Sequence, residues 1–412
     1  MGARRNQRVL RSLRGWFLDA HLITSLPREC PPLAERNTHR IRSVDFRDLL
    51  SWIAATDRPG SRVRQRKGGQ LLVRLKGSYP TCLLLDEGGL MYLHRAYRAA
   101  ARLVRQREIR LVYSSFGPMA DLLIGLRLKK RFPHLVWVVD FRDLPLDQGL
   151  LSPVFPRAHH RFMQAVLRQA DILLTVSEGL AAHLDHPQKQ VVRNGMDSSA
   201  SFPEKVSGKR PFTLNYTGTL YPGLLDLDPI LQQIRTWIVE NGIQPSRFCL
   251  RYAGNDKRSW AIALDKAGLG PFGDSYDRVP HRQSLAFQKA SEINLLLSWS
   301  SHTQKGILTG KFFEYLHAGN PVMGWVDGPV DPELEKLFED SRAGELFFSY
   351  RKGDAWRFKE RLAHYFKQWE SGQPVRWDPH RKEVQPFTWE KQFQKLKPLL
   401  AKYLSPSSPP LS

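Results

Sequence analysis

Apolar positions along the chain take two alternating forms. Short aliphatic and β-branched runs, the mark of strands buried on both faces of a parallel sheet, are separated by longer stretches of helical periodicity. In the first half the runs are Ala20–Thr24, Cys82–Asp86, Ile109–Ser115, Leu135–Asp140, Ile172–Ser177 and Gln190–Asn194. Helices are predicted between them, notably over 90–106 and 120–132. A polar Ser- and Pro-containing stretch, 198–211, interrupts the pattern, which then restarts. Phe212–Leu220, Phe248–Gly254, Ile293–Trp299, Pro321–Val326 and Gly344–Tyr350 are the strands of the second run. Two successive strand–helix series predict an α/β chain of two doubly wound, Rossmann-like domains facing a central cleft. In such sheets ligands bind beyond the carboxyl ends of the strands, so the residues after each strand carry the functional information.

Composition bounds the reading. The 412 residues suffice for two cores, and 42% hydrophobic with 25% charged residues is ordinary for a soluble globular protein. No apolar run approaches the ~18 residues of a membrane span. The Arg-rich N-terminus lacks the apolar core and cleavage site of a secretory signal. Three scattered cysteines, Cys30, Cys82 and Cys249, fit neither a disulfide framework nor a zinc site, which points to the reducing cytoplasm.

The net charge of +22 is unevenly placed. Residues 1–210 hold 36 Lys and Arg against 18 Asp and Glu, whereas 211–412 hold 26 against 22. A basic first half implies an anionic partner. Its densest cluster, Arg62, Arg64, Arg66 and Lys67, reads either as a solvated loop or as a contact with an anionic membrane surface. No zinc-finger spacing, RNA-recognition signature or aromatic interleaving supports nucleic acid as that partner.

Candidate chemistry gathers after the strands of the second half. Gly218 and Gly254 end two strands, where backbone can approach a ligand closely. In "KGILTGKFFEYL", Gly306, Thr309 and Gly310 precede a helix whose N-terminus favours an anion, with Lys305 and Lys311 adding charge. Glu314, on a helix that buries Phe312, Phe313, Tyr315 and Leu316, is placed to accept hydrogen bonds from a ribose diol, or is an ordinary acid near a helix start. Lys257 and Arg258 are further phosphate candidates. "DLDP", residues 226–229, formally matches a metal-binding Asp-x-Asp motif, but Asp228 as N-cap before Pro229 explains it more simply. In the first half "DFRD" places Asp140, Arg142 and Asp143 beyond the run Leu135–Val139, as charge-stabilising and acceptor-holding groups or as a structural Asp–Arg brace.

Taken together, "KGILTGKFFEYLHAGNPV", "YTGTLYPG", "RNGMD", "ADILLTVSEGLAAHL", "SSFGPMADLLIG", "WVVDFRDLP" and "FTWEKQFQKLKPLLAKYL" resemble, in order and spacing, the retaining family-4-type glycosyltransferases of bacteria. The resemblance covers roughly residues 2 to 403 and implies the GT-B fold. It implies residues 1–198 as an acceptor-side domain, 199–210 as linker and 211–385 as a nucleotide-sugar-binding domain. A crossover helix, 386–403, would return to the first domain and 404–412 would be a tail. It further implies sugar transfer from a nucleotide diphosphate sugar to a glycan or glycolipid acceptor, with retention, on the inner face of a membrane. No cofactor or metal is expected, since a helix N-terminus and basic side chains supply the positive field. Asp140, Arg142 and Asp143 would be catalytic. Gly218, Gly254, Lys257, Lys305, Gly306, Thr309, Gly310, Lys311 and Glu314 would hold the donor.

Three departures from that family stand out. Thr219 and Pro222 occupy places where relatives carry diphosphate-gripping basic residues. Gly306 stands eight positions before Glu314, where a second glutamate is usual. The fold's first strand would precede Gly2, so either the start at Met1 falls late or the chain lacks that strand. A GT-B epimerase and a non-catalytic nucleotide-sugar-binding or scaffold protein remain as alternatives. Detection of a new glycoside separates transferase from both.

Overall fold

The computed structural model describes residues 2–17, 19–25, 37–42, 78–81, 89–142, 154–197, 210–220, 223–302, 305–306, 310–375 and 382–404. The chain divides into two compact units, 1–192 with 393–412, and 193–392.

In the first unit, helix α1 (Gly2–Trp16) leads into β1 (Leu22–Ser25), which pairs in parallel with β2 (Thr38–Ile41). Helix α2 (Gly89–Gln106) precedes a four-stranded parallel sheet of order β3-β4-β5-β6: Leu111–Ser115, Val136–Phe141, Ile172–Thr175 and Lys189–Val191. Helices α3 (Met119–Arg131), α4 (Pro156–Leu167) and α5 (Glu178–Ala182) connect its strands. All six residues of β4 are buried, as its unbroken apolar run requires. On one face Trp137 lies under α3, where a Cβ on Gly125 would come within 2.2 Å of the indole nitrogen. Glycine is therefore demanded by packing there. On the other face Asp140 meets α1.

The second unit has one six-stranded, all-parallel sheet of order β12-β11-β10-β7-β8-β9. Its strands are β7 (Phe212–Gly218), β8 (Phe248–Gly254), β9 (Gly273–Tyr276), β10 (Ile293–Trp299), β11 (Val322–Asp327) and β12 (Gly344–Phe348). The intervening helices are α6 (Asp228–Glu240), α7 (Lys257–Lys266), α8 (His281–Ala290), α9 (Gly310–Ala318), α10 (Pro332–Ser341) and α11 (Asp354–Glu370). Alternate strand residues enter separate cores. Leu295, Leu297, Met323, Trp325 and Phe347 join Ile230, Trp237 and Phe358, whereas Leu296, Val322, Val326 and Phe348 join Phe312, Phe313 and Phe338. Helices thus cover both faces, the doubly wound arrangement the apolar runs predict.

The "RNGMD" segment belongs to this unit and runs beside the returning chain before α12 (Trp389–Gln394). Met196 N–H donates to Phe387 O at 2.8 Å and Trp389 N–H to Met196 O at 3.1 Å. A Cβ on Gly195 would lie 2.6 Å from the Trp389 nitrogen, so this glycine is fixed by backbone crossing backbone. The final helix, α13 (Leu396–Leu404), rejoins the first unit. Among the described residues no helix is long and apolar enough to cross a membrane.

Among the described residues two strands escape the sequence pattern, β2 ("THRI") and β9 ("GDSY"). Both end their sheets and are half-exposed or exposed along their length, so neither needs an apolar run.

Candidate functional site

The chain order reverses between β7 and β10, the switch point at which doubly wound sheets bind ligands. The two strands pair only at Leu214↔Ile293 and Asn215↔Asn294, although both run on to their carboxyl ends. Beyond the last pair, Tyr315 of α9 takes over: its hydroxyl accepts from Thr217 N–H at 3.2 Å. Burial raises the Tyr315 phenol to about 12, so it stays protonated.

Beside it, Gln288 of α8 is fully buried, and its Nε2 donates to Thr217 Oγ1 at 2.8 Å and to Glu314 Oε2 at 3.2 Å. The other Glu314 oxygen lies 3.3 Å from His281 Nε2, near enough for an ion pair when the ring is protonated but misaligned for a hydrogen bond. Glu314 therefore sits at the switch point, about one-fifth exposed, held by two side chains of the neighbouring helix.

Lys311, one turn earlier, folds back under the end of β7. Its ammonium donates to Tyr216 Oη at 2.9 Å and lies 4.8 Å from that ring's centroid. A Cβ on Gly218 would come within 2.0 Å of Nζ, so the glycine makes room for this lysine. Burial pushes the Lys311 ammonium down to about 8, with Glu314 acting in the opposite direction. Gly254 is also a packing glycine: its Cβ would strike Gly218 O at 1.9 Å.

Of the remaining donor candidates among the described residues, Gly310 alone adjoins this group, as the residue that opens α9 before Lys311. Lys257 and Lys305 are exposed and, among the described residues, share no hydrogen bond or ion pair with it. Lys257 and Arg258 occupy the first turn of α7, where cations oppose the helix dipole, while Asp256 caps the turn by accepting from Ser259 N–H at 3.0 Å. Gly306 adopts φ +71°, and its N–H donates to Asp331 Oδ2 at 2.7 Å. Asp331 is buried and caps α10 with its other oxygen, so the Gly306 amide is already committed to a carboxylate. Thr309, Asp143, Arg62, Arg64, Arg66, Lys67 and the linker residues 199–209 lie outside the described residues.

The capping assignment at "DLDP" is corrected. Asp228 is the first residue of α6, not its cap. The carboxylate of Asp226 accepts from Asp228 N–H at 2.9 Å, while the Asp228 side chain turns outward to pair with Lys266. Among the described residues no three His, Cys, Asp or Glu side chains gather as a metal site would require.

The first unit alters the picture of "DFRD". Strand β4 extends through Phe141, so Asp140 lies within the sheet rather than beyond it, in register with Ser115. It is completely buried and gripped by Arg5 of α1, Nε to Oδ2 at 2.6 Å and Nη2 to Oδ1 at 2.9 Å. Burial lowers the Arg5 pKa, but the Asp140 carboxylate outweighs it and holds the guanidinium above its ordinary value. The Tyr113 hydroxyl is driven well above its usual range by burial and by the same carboxylate. The partner of Asp140 is thus Arg5, not Arg142. Arg142 instead donates from Nη2 to Phe116 O at 2.8 Å, and its buried Nε has no hydrogen-bond partner among the described residues.

His281, Gln288 and Tyr216 escape the sequence reading. His281 follows β9, and recognising that polar strand would have directed attention to it by the same carboxyl-end rule.

No protein-family model and no curated protein matches the chain. Among solved structures it is similar to a glycosyltransferase from Rickettsia africae, at 10% identity and a TM-score of 0.56, over 98% of this chain and 95% of that one. It is also similar to sucrose-phosphate synthase from Thermosynechococcus elongatus (13%, 0.52, covering 77% and 79%). A third is the N-terminal domain of trehalose-6-phosphate phosphatase from Candida albicans (11%, 0.52, covering 93% and 96%). At these identities the likeness is one of fold. The chain has the GT-B fold, built from two Rossmann-like units of parallel sheet.

Proposed function

We propose that this protein is a glycosyltransferase that moves a sugar from a nucleotide diphosphate sugar to an acceptor hydroxyl. The observation that carries the reading is the group Gly218, Lys311 and Glu314 at the β7/β10 switch point. Lys311 is a part-buried cation whose hydrogen-bond partner among the described residues is a neutral phenol, so a phosphate arriving at the carboxyl edge offers it a far stronger, charge-assisted bond. Glu314, one turn further along the same helix, presents a carboxylate to the ribose diol. Charge developing on the leaving diphosphate would be met by Lys311, with the exposed Lys257 and Lys305 as outer contributors and no metal required.

Retention, cell-surface polysaccharide or glycolipid assembly, and a cytoplasmic, membrane-peripheral setting rest on the sequence resemblance and the basic first half. In the first unit Arg142, with a donor atom to spare, is the group we place toward the transferred sugar or acceptor, together with Asp143. Asp140, held by Arg5, serves as a structural brace.

Calorimetric titration with a panel of nucleoside diphosphates tests the site. Incubation of a labelled nucleotide sugar with membrane extract tests the reaction. Binding of one diphosphate and formation of a new glycoside are expected. Recovery of an epimerised donor would make the chain an epimerase, and no binding across the panel would leave a non-catalytic scaffold.

A further inference from the structure

Two large aromatic side chains in the second unit lie where no core needs them. Tyr350 is 71% exposed and Trp356 is 56% exposed, in the turn that leaves β12 and in the first turn of α11. Their exposure does not come from a loose segment. Arg351 N–H donates to Phe348 O and Asp354 N–H to Arg351 O, both at 3.1 Å. The buried Asp354 carboxylate then accepts from Phe348 N–H at 2.9 Å, locking the turn from inside. Gly353 takes φ +88°, a conformation that suits glycine, with open space around its missing Cβ. Meanwhile Phe358, Leu362 and Phe366 carry the core-facing side of α11.

The tip of the turn is basic: Arg351, Lys352 and Arg357 surround the buried Asp354, and Glu335 of α10 pairs with Arg351. Further along α11, Lys359 and Arg361 are neutralised by Glu240 and Glu345. The exposed Lys352 has no ion-pair partner among the described residues. Rings with an apolar body and a polar tip, set among cations, fit the headgroup layer of a bilayer. The centre of a protein–protein interface is instead depleted of charge.

We infer that the Tyr350–Trp356 turn docks the protein on an anionic lipid surface. Because every strand of this sheet is parallel, the turn after β12 lies on the same edge as Lys311 and Glu314. The order β12-β11-β10-β7 puts three strand spacings between the turn and β7, about 14 Å at roughly 4.8 Å each. Docking there brings the ligand edge of the sheet to the membrane, so the acceptor would be lipid-linked. That last step rests on the glycosyl-transfer reading; the docking does not.

The test is co-sedimentation of nuclease-treated, full-length protein with vesicles of phosphatidylcholine alone or mixed with phosphatidylglycerol. Wild type should pellet with the anionic vesicles and little with the neutral ones. The double variant Tyr350→Ser/Trp356→Ser, with Arg62, Arg64, Arg66 and Lys67 intact, should partition roughly tenfold more weakly. Lys352→Glu, a change on an exposed turn outside the core, should weaken it in the same direction and serves if the double variant misfolds. Equal pelleting of wild type and variants, or wild type remaining in solution with both vesicles, overturns the inference. So does self-association of wild type that the double variant loses, which would assign this face to a second copy of the chain. Nucleoside-diphosphate titration of the same samples reports separately on the donor site, so failure of docking and failure of the glycosyl-transfer reading are distinguishable.

Discussion

The guanidinium of Arg5 closes on the carboxylate of Asp140 through two hydrogen bonds, with both side chains out of solvent. The Phe393 ring lies 5.5 Å from the same guanidinium, so the first helix, the central strand β4 and the returning chain converge on one ion pair. Removing one member of such a pair leaves an uncompensated buried charge, which typically costs about 3–5 kcal/mol. Asp140→Ala should therefore lower the denaturation midpoint strongly, whatever it does to activity. A variant with unaltered unfolding but abolished turnover would return Asp140 to the chemistry.

This residue also shows where the sequence was legible. Strands β4, β7, β8, β10, β11 and β12 are buried on both faces, and burial writes itself as an apolar run. The doubly wound pattern followed from those runs. Edge strands β2 and β9 carry no such mark, and the segment after β9 that bears His281 was overlooked with it. Pairings between distant residues were also hidden. Arg142 is two positions from Asp140, and nothing local says that a guanidinium 135 residues away takes the carboxylate instead. At "DLDP" one carboxylate accepts from the other residue's backbone amide and the second turns out; the spacing fits either arrangement, and the hydrogen bond from Asp228 N–H to Asp226 decides it. Gly218 and Glu314 were legible because position after a strand and position on a helix are local properties.

Glu314→Ala should weaken binding of the best nucleoside diphosphate by roughly 1.5–3 kcal/mol, the range for hydrogen bonds to a charged group. Folding should change little, because Gln288 keeps Thr217 as an acceptor when Glu314 is gone. Gln288→Leu should be more damaging to stability, since it removes the buried donor that the Thr217 hydroxyl and the Glu314 carboxylate share, while the backbone carbonyl that Asn294 and Asn320 donate to is kept. Paired calorimetric titration and thermal unfolding check both. Unchanged affinity in Glu314→Ala would remove this residue from the donor site.

Transfer should continue in the presence of a chelator, because oriented amides and basic side chains can supply the field a metal would otherwise provide. Asp228→Asn should be close to neutral for activity: its carboxylate pairs with an exposed lysine on the surface and such pairs contribute little. Asp226→Ala should be the more disruptive of the two, as it frees the Asp228 amide at the start of α6. Activity lost with chelator and restored by manganese or magnesium would instead make Asp226 and Asp228 metal ligands.

Lys311 should make donor binding depend on pH. Burial holds its ammonium at about 8 in the ligand-free protein, against an ordinary value of 10.5. Between those values the unfolded chain binds more protons than the folded one, so ligand-free stability should rise as pH climbs through the window. The charged, part-buried lysine is a strain on the fold at neutral pH, and Lys311→Met, which keeps the length without the charge, should relieve it. A bound diphosphate does the reverse, stabilising the protonated form and drawing a proton from solvent on binding above pH 8. Affinity should accordingly fall by roughly tenfold between pH 7.5 and pH 9, the loss expected as the ammonium titrates away. In Lys311→Met both the pH step and the proton uptake should vanish, leaving a weaker, flat profile. Titration calorimetry in two buffers of different ionisation enthalpy measures the affinity and the proton count together. A wild-type profile that is flat from pH 7.5 to 9 would place the phosphates away from Lys311.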